Sequence, residues 1–470
     1  MTDDLLIIGG GPAGMSAAIE AATHGLVCTI VDESAALGGQ IYRLQAVKPN
    51  GQTPPATVVR GDELRDQVQQ LSQLINIRYE SVVWGISKGN KFAVGKEGEG
   101  TEILEPKLTL LAPGAYEFVP PFPGWTLPGV MTPGAAQILS KTMNISPGKR
   151  VLIAGTGPLL IVIASQLVSN GVEVAGVIEA SRQPDWLRLA IRGYRSWGLL
   201  REGARCLNTL RKAGVPVHYG RVVTRAEGND FLQHVHHAPV NADWYPDFSG
   251  EQIESVDTLC IGYGLQPRNY LAQLAGCEMQ YVDAKNSWLP VRDRDLWTSQ
   301  PGILAAGDGA GVAGAMTAES EGQLAGLVAA NKLGKIDTSA FDRLRAPIDA
   351  KLSRLAPFQK AIADICRIRP GLSSLVDDDT IVCRCEEVTW GEVNAAIDHG
   401  GTTFRSLKVM TRLGMGMCQA RFCWPAMSRM VASKQNCPVA DVGPARPQAP
   451  IRPVPLGLIA SIPKVPETCE

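Results

Sequence analysis

The chain of 470 residues has almost no charge imbalance: 45 Lys+Arg face 46 Asp+Glu, a formal net charge of −1. That excludes a nucleic-acid footprint and a basic membrane-binding face. Histidine is scarce, and none of the six (His24, His218, His234, His236, His237, His399) falls in a motif, so no general base stands out. His234, His236 and His237 cluster in what reads as a polar loop, a weak basis for a metal site. No secretory leader is expected either: Asp3 and Asp4 stand where a positive n-region would be, and the apolar run at 5–8 is too short for an h-region. The stretch 151–172 carries no charge and has the length of a membrane span. Gly155-Thr156-Gly157-Pro158 interrupts it, so a strand, a turn and a buried helix are expected instead. Without an export signal the eleven cysteines imply a reducing cytosol and no disulfides. The expected location is the cytoplasm, with the inner face of the membrane as the variant. Cys28, Cys206, Cys260, Cys277, Cys366, Cys437 and Cys469 show no ligand spacing.

What the chain does have is one pattern twice: apolar strand, glycine turn, helix. The first copy runs Leu5-Leu6-Ile7-Ile8, then Gly9-Gly10-Gly11-Pro12-Ala13-Gly14, then a helix to His24 and a strand 27–31 closed by Asp32 and Glu33. Gly9 permits the tight turn, Gly11 admits a pyrophosphate to the backbone, and Gly14 lets the helix pack close to the strand. Pro12 and Ala13 open the helix, whose free N–H groups favour phosphate. Asp32 stands where a carboxylate accepts from ribose hydroxyls, with Glu33 beside it. The second copy has Val151-Leu152-Ile153-Ala154, Gly155-Thr156-Gly157-Pro158-Leu159-Leu160, and Glu179 at the end of the next strand. Leu160 replaces the third glycine. Gly155, Gly157 and Glu179 are candidate binders of NAD(P), ATP or another adenine nucleotide, or the remains of such a site. Glu179 speaks against a 2′-phosphate, although Arg182 lies near.

Four cysteines form two tight pairs, Cys383-Arg384-Cys385 and Cys418-Gln419-Ala420-Arg421-Phe422-Cys423. Four thiolates suit an iron–sulfur cluster, with Gly414 and Gly416 placed to turn backbone N–H groups toward its sulfurs. A four-thiolate structural zinc is the alternative. Between the pairs, Thr389 and Glu392 have capping-box spacing at the start of a helix. From Pro438 onward eight prolines predict an extended tail over another domain's surface.

Three stretches carry a resemblance to known families. Leu37-Gly38-Gly39-Gln40-Ile41-Tyr42-Arg43 after the acid, Leu110-Leu111-Ala112-Pro113-Gly114-Ala115, and the strand end Ala306-Gly307-Asp308 are similar to the two-dinucleotide-domain flavoproteins of the glutathione-reductase type. The resemblance implies FAD in the first site, lined by Gly39, Gln40, Gly114 and Gly307, with Asp308 on the ribityl chain. Pro113 replaces that family's threonine. No Cys-x-x-Cys follows Gly39, which excludes a disulfide-reductase mechanism. The cysteine spacing resembles the bacterioferritin-associated ferredoxin-like [2Fe-2S] domain, in the version fused to flavoprotein dehydrogenases.

The whole chain resembles the larger, alpha flavoprotein subunit of the opine oxidase, D-hydroxyproline dehydrogenase and hydrogen cyanide synthase group. The telling stretches are Gly38-Gly39-Gln40-Ile41-Tyr42-Arg43, Pro121-Phe122-Pro123-Gly124-Trp125, Gly155-Thr156-Gly157-Pro158-Leu159-Leu160, Cys383-Arg384-Cys385-Glu386-Glu387-Val388-Thr389 and Arg452-Pro453-Val454-Pro455-Leu456. It implies an electron-transfer subunit beside an amine-oxidising beta flavoprotein and, in many cases, a small ferredoxin-like subunit. An NAD(P)H-dependent reductase feeding the cluster, or a scaffold with structural nucleotide, are the competing expectations. The expected fold is α/β: two Rossmann-like domains, a small helical [2Fe-2S] domain and a proline-rich tail. The expected bounds are 1–115 with 255–335 for FAD, 116–254 for the second nucleotide domain, 336–435 for the cluster domain and 436–470 for the tail.

Overall fold

The computed structural model describes residues 3–44, 55–87, 89–192 and 197–462. Two five-stranded parallel sheets dominate. The first has the order Ile303–Ala305, Leu108–Leu111, Leu5–Ile8, Cys28–Val31, Ile75–Arg78. The second has the order Val217–Tyr219, Glu173–Glu179, Arg150–Gly155, Thr258–Gly262, Val130–Met131. Strands buried on both faces explain the unbroken apolar runs of the sequence; Leu5, Leu6 and Ile7 have no exposed surface. The helices Pro12–Thr23 and Ala315–Lys332 pack backbone to backbone over the first sheet. A Cβ at Gly322 would meet Ala13 O at 2.1 Å. Each sheet carries an antiparallel three-stranded meander, Ser81–Ser87 to Gly100–Leu104 and Arg221–Glu227 to Gln252–Ser255.

Three expected boundaries move. The strand Thr258–Gly262 pairs with Arg150–Gly155, so the chain is still in the second sheet at 262 and not, as the bound at 255 required, back in the first. It returns through Leu265–Pro267, which pairs antiparallel with Ala115–Glu117. Helical periodicity from 338 onward suggested one helical domain. Instead Thr338–Cys366 is a strut of 29 residues outside the cysteine module. Its Phe341 and Ile348 enter the core of the first domain, and Ala361 and Ile365 pack on Leu189 of the second.

The tail also divides. Val442 and Ala445 complete the core of the cysteine module, and Trp424 Nε1 donates to Gly443 O at 2.9 Å. Beyond them the chain crosses the first meander. Ile451 N donates to Trp84 O at 2.9 Å and Thr101 Oγ1 to Leu458 O at 2.6 Å. Short helices at Val439–Val442 and Leu456–Ala460 interrupt the extended course expected from the prolines. The stretch 151–172 becomes the strand Arg150–Gly155 and the helix Pro158–Ser169. Among the described residues no helix is long and apolar enough to cross a membrane. His234, His236 and His237 lie on a strand, His234–Pro239, rather than in a loop; it is the central strand of its meander, paired on both sides, and His237 is buried and accepts from Arg221 Nε at 2.8 Å.

Candidate functional site

At the first glycine turn each glycine meets a different demand. Gly9 has φ +110°, and a Cβ there would stand 2.2 Å from Ala112 O. A Cβ at Gly14 would stand 1.9 Å from Gly9 O, so helix and strand touch at backbone distance. Gly11 caps the helix with ordinary φ, and the nearest atom to a Cβ there is Gly39 Cα at 3.9 Å. The space in front of Gly11 is therefore open. Pro12 is at the first helical position, no side chain caps the end, and no acid sits in the first turn. The positive end of the helix is left for a phosphate. Asp32 accepts from Gly10 N at 2.6 Å and Ser34 N at 2.7 Å, one bond on each oxygen. Lone pairs remain on both oxygens for ribose hydroxyls.

Around the turn, Gly39 has φ +58° and lies against Gly11; Gly114 has φ +73° with nothing within 4 Å of a Cβ. Asp308 Oδ1 accepts from Ala313 N at 2.9 Å and Gly314 N at 3.0 Å, and Oδ2 takes no protein donor among the described residues. Burial pushes the Asp308 carboxyl above its ordinary pKa. These groups fit a dinucleotide with its pyrophosphate at Gly11 and a hydroxylated chain at Asp308.

Two expected residues sit elsewhere. Glu33 faces Arg268 at 2.7 Å and Arg452 of the tail. Burial opposes ionisation, but the two guanidiniums hold its carboxyl below the usual range. It clamps the tail rather than a ribose, since one step along the strand end turns the side chain away from the glycines. Gln40 is exposed and accepts from Arg43 at 2.9 Å.

The sequence reading missed a supporting layer. Gly307 N donates to Glu321 Oε2 at 2.7 Å, and Arg292 holds both oxygens of Glu321, at 3.0 and 2.7 Å. Tyr42 donates to Glu319 at 2.5 Å. Lys285 Nζ donates to Val312 O on the loop after Asp308, and burial lowers its pKa. These residues are far apart in sequence and carry no motif.

The open space at Gly11 makes a sharp prediction. Gly11→Ala should fold with wild-type melting behaviour yet lose FAD, because its Cβ enters only the ligand's space. Gly14→Ala should instead destabilise the fold by roughly 2–4 kcal/mol, as an overpacked backbone contact. Thermal melts with and without added FAD separate the two; equal FAD occupancy in Gly11→Ala would refute the placement.

The second turn is built alike but closed. Gly155 and Gly157 have φ +131° and +105°. Gly157 is buried, and a Cβ there would stand 2.7 Å from Cys366 Sγ. Glu179 has no exposed surface. It accepts from Thr156 Oγ1 at 2.8 Å, Gly157 N at 3.0 Å and Ser181 N at 2.9 Å. Burial, partly offset by these bonds, pushes its carboxyl up to about 7. Ser181 Oγ also donates to Ile365 O at 3.1 Å. The end of the helix Thr338–Cys366 thus lies against the turn. Glu179, expected to bind a nucleotide with Gly155 and Gly157, accepts its bonds from Thr156, Gly157 and Ser181. A glycine turn reads the same in sequence whether its occupant is a ligand or a helix end 200 residues on.

The cysteine module folds around Val382, Val393, Leu407, Leu413, Trp424 and Met427. The capping box at Thr389 and Glu392 forms as expected and starts the helix Trp390–Asp398. Cys383, Cys418 and Cys423 are buried and Cys385 is exposed. The Cys383 thiol lies beside that of Cys423, and the Cys385 thiol beside that of Cys418. The Cys423 contact, with backbone bonds from Gly414, Glu386 and Cys385, brings the Cys383 thiol down to about 6 against its burial. Non-glycine residues in the left-handed region crowd these loops: Glu387, Arg412, Gln419 and Ala420. Gly416 leaves room for Cys385, since a Cβ there would lie 2.2 Å from Cys385 Cβ. All four thiols meet, as two cross-loop pairs. Four thiolates in two pairs suit a two-iron centre, which takes two per iron.

The module docks on the stretch between the two nucleotide domains. Tyr116, two residues beyond Gly114, donates to Arg421 O at 2.6 Å, and its ring meets Phe422 edge-on at 5.5 Å. Trp125 Nε1 donates to Ile381 O at 2.6 Å, and the Arg384 guanidinium lies 5.5 Å over its ring. Each cysteine loop therefore has its own aromatic anchor.

Comparisons with known proteins agree with this geometry. Residues 3–322 match the pyridine nucleotide-disulphide oxidoreductase family, and residues 381–433 match the BFD-like [2Fe-2S] binding domain. The chain is 34% identical over 459 residues to the HcnB subunit of hydrogen cyanide synthase from Pseudomonas protegens, covering 96% of each. It is 35% identical over 476 residues to an opine oxidase subunit of Agrobacterium tumefaciens, covering 98% of this chain and 92% of the relative. The solved L-proline dehydrogenase from P. horikoshii shares the fold at TM-score 0.69 and 21% identity, over 98% of this chain and 79% of that one.

Proposed function

The chain belongs to the family that includes these opine oxidase and hydrogen cyanide synthase subunits, and we propose that it is the electron-transfer subunit of a multi-subunit dehydrogenase acting on a C–N bond. It is an oxidoreductase of the FAD and [2Fe-2S] type. When bound, flavin turns a two-electron input into the single-electron steps that an iron–sulfur centre accepts. The chain's residues place the two groups. The N-terminus of the helix Pro12–Thr23 holds the pyrophosphate, Asp32 the ribose and Asp308 the ribityl chain. Cys383, Cys385, Cys418 and Cys423 hold the irons, and backbone N–H groups of Gly414 and Glu386 support the sulfurs.

The observation that carries the reading is the docking of the cysteine loops, through Tyr116, onto the strand that leaves Gly114. The site lacks a histidine base, and no cysteine stands beside Gly39 to form a redox disulfide. The substrate is therefore assigned to an amine-oxidising beta flavoprotein, with an amino acid, imino acid or opine as donor. A respiratory acceptor completes the relay in the cytoplasm, with a small ferredoxin-like subunit and the inner face of the membrane as variants. Against the reductase alternative stands Cys366, whose Sγ would lie 2.7 Å from a Cβ at Gly157. Purification with and without the beta partner tests the proposal: the complex should oxidise a C–N substrate and the isolated chain should not. Turnover of amino acids by this chain alone, or a colourless protein without iron and sulfide, would refute it.

A further inference from the structure

The loop Cys418 to Cys423 is held partly from outside. Gln419 and Ala420 both sit in the left-handed region, at φ 49° and 68°, where a non-glycine residue is strained unless its surroundings impose it. Gln419 bonds to Pro450 O and Gln448 N of the tail, Ala420 is buried in the module's core, and the next two residues are held by Tyr116. Tyr116 is fixed by its strand, paired with Gln266. Its hydroxyl donates to Arg421 O, inside the loop, while its ring packs against Phe422. Tyr270, at the start of the helix Tyr270–Leu274, turns its phenol to that of Tyr116. The Arg421 guanidinium lies 5.8 Å over the Tyr270 ring, and Arg421 Nε donates to Cys418 O at 2.9 Å. Strand, two phenols, arginine and cysteine loop form a closed circuit of contacts, with Gly114 at one end and Cys418 at the other.

We propose that Tyr116 is a positioning residue that fixes the orientation of the Cys418–Cys423 half of the cluster site and its distance from the flavin side at Gly114. This rests on the relay reading above. A ligand orienter outside the metal's own coordination is where a modest structural change has a large effect on metal chemistry. Trp125 performs the equivalent anchoring for the Cys383 strand through Ile381 O, but it stands farther along the chain from Gly114 and touches neither phenol.

The test uses the full chain with both cofactors loaded. Tyr116→Phe keeps the ring on Phe422 and removes the bond to Arg421. FAD and iron contents should stay at wild-type values. The electron paramagnetic resonance signal of the dithionite-reduced protein and the cluster's midpoint potential should both move. Cluster reduction after light-reduction of the flavin should slow about 10-fold, the order usual for outer partners of metal ligands. Wild-type signal, potential and rate in a fully loaded Tyr116→Phe protein would overturn the assignment. If Tyr116→Phe keeps FAD but fails to load iron, Tyr270→Phe decides: a shift supports the circuit and a wild-type signature overturns it. If the wild-type protein itself passes no electron from flavin to cluster, the relay reading falls. The Tyr116 assignment is then judged on signal and potential alone.

Discussion

Anaerobic mixing of the FAD-loaded protein with NADH or NADPH should leave the flavin absorption unbleached. The reason is the contrast between two turns of the same design. In front of Gly11 the nearest atom to a Cβ is 3.9 Å away; at Gly157 it is Cys366 Sγ at 2.7 Å. A pyrophosphate at the second turn must first lift the end of the helix Thr338–Cys366. That exposes Ile365, now 4% exposed, at about 2 kcal/mol. It also breaks the bond from Ser181 Oγ to Ile365 O, about 1 kcal/mol. Roughly 3 kcal/mol weakens a dinucleotide by about 10²-fold against an open site. Glu179 adds to the barrier: its carboxyl, pushed up to about 7 by burial, already accepts three donors. Stopped-flow absorbance with micromolar NADH measures the outcome. Rapid, saturable bleaching would restore the reductase reading.

How far the sequence could be read follows from where each contact lies along it. The turn at Gly9 to Gly14, the acid at Asp32 and the capping box at Thr389 are local devices, each contained in a short window, and they formed as expected. The cysteine pairs were legible for the same reason, though only the fold brings Cys383 to Cys423. Long-range features were not legible. Glu33 looked like a second ribose acid, yet it meets Arg452, 419 residues away. Glu179 kept the spacing of a ribose binder while its hydrogen bonds closed around its own turn. The strut Thr338–Cys366 was placed in the wrong domain because an amphipathic helix has the same period whichever core receives its apolar face. Tyr116 had no signal at all, since a lone tyrosine after a glycine hinge predicts nothing until Arg421 is seen beside it.

Replacing any one of Cys383, Cys385, Cys418 or Cys423 by serine should abolish the iron–sulfur absorption and leave the flavin spectrum intact. The two sites have separate cores. Asp32, Gly11 and Asp308 stand on the first sheet, whereas the thiols stand on loops around Val382, Leu413 and Trp424. Cluster loss therefore has no direct route to the FAD turn, and flavin content should stay near that of wild type. Loss of one thiolate should weaken cluster retention by more than about 100-fold, beyond the range for outer partners. The fold should respond unequally. Cys383 and Cys423 are buried beside each other, so serine there leaves a desolvated hydroxyl against the remaining thiol. Cys385 is exposed, so Cys385→Ser should lose the cluster with the least change in melting temperature. Cys437→Ser is the control: its thiol bonds to Gln435 Oε1 at 3.8 Å in the same module, and iron content should be unchanged. Iron and sulfide assays with visible absorbance on the five variants give the answer. Full iron in any of the four, or zinc in place of iron in the wild-type protein, would remove the two-iron assignment and with it the relay.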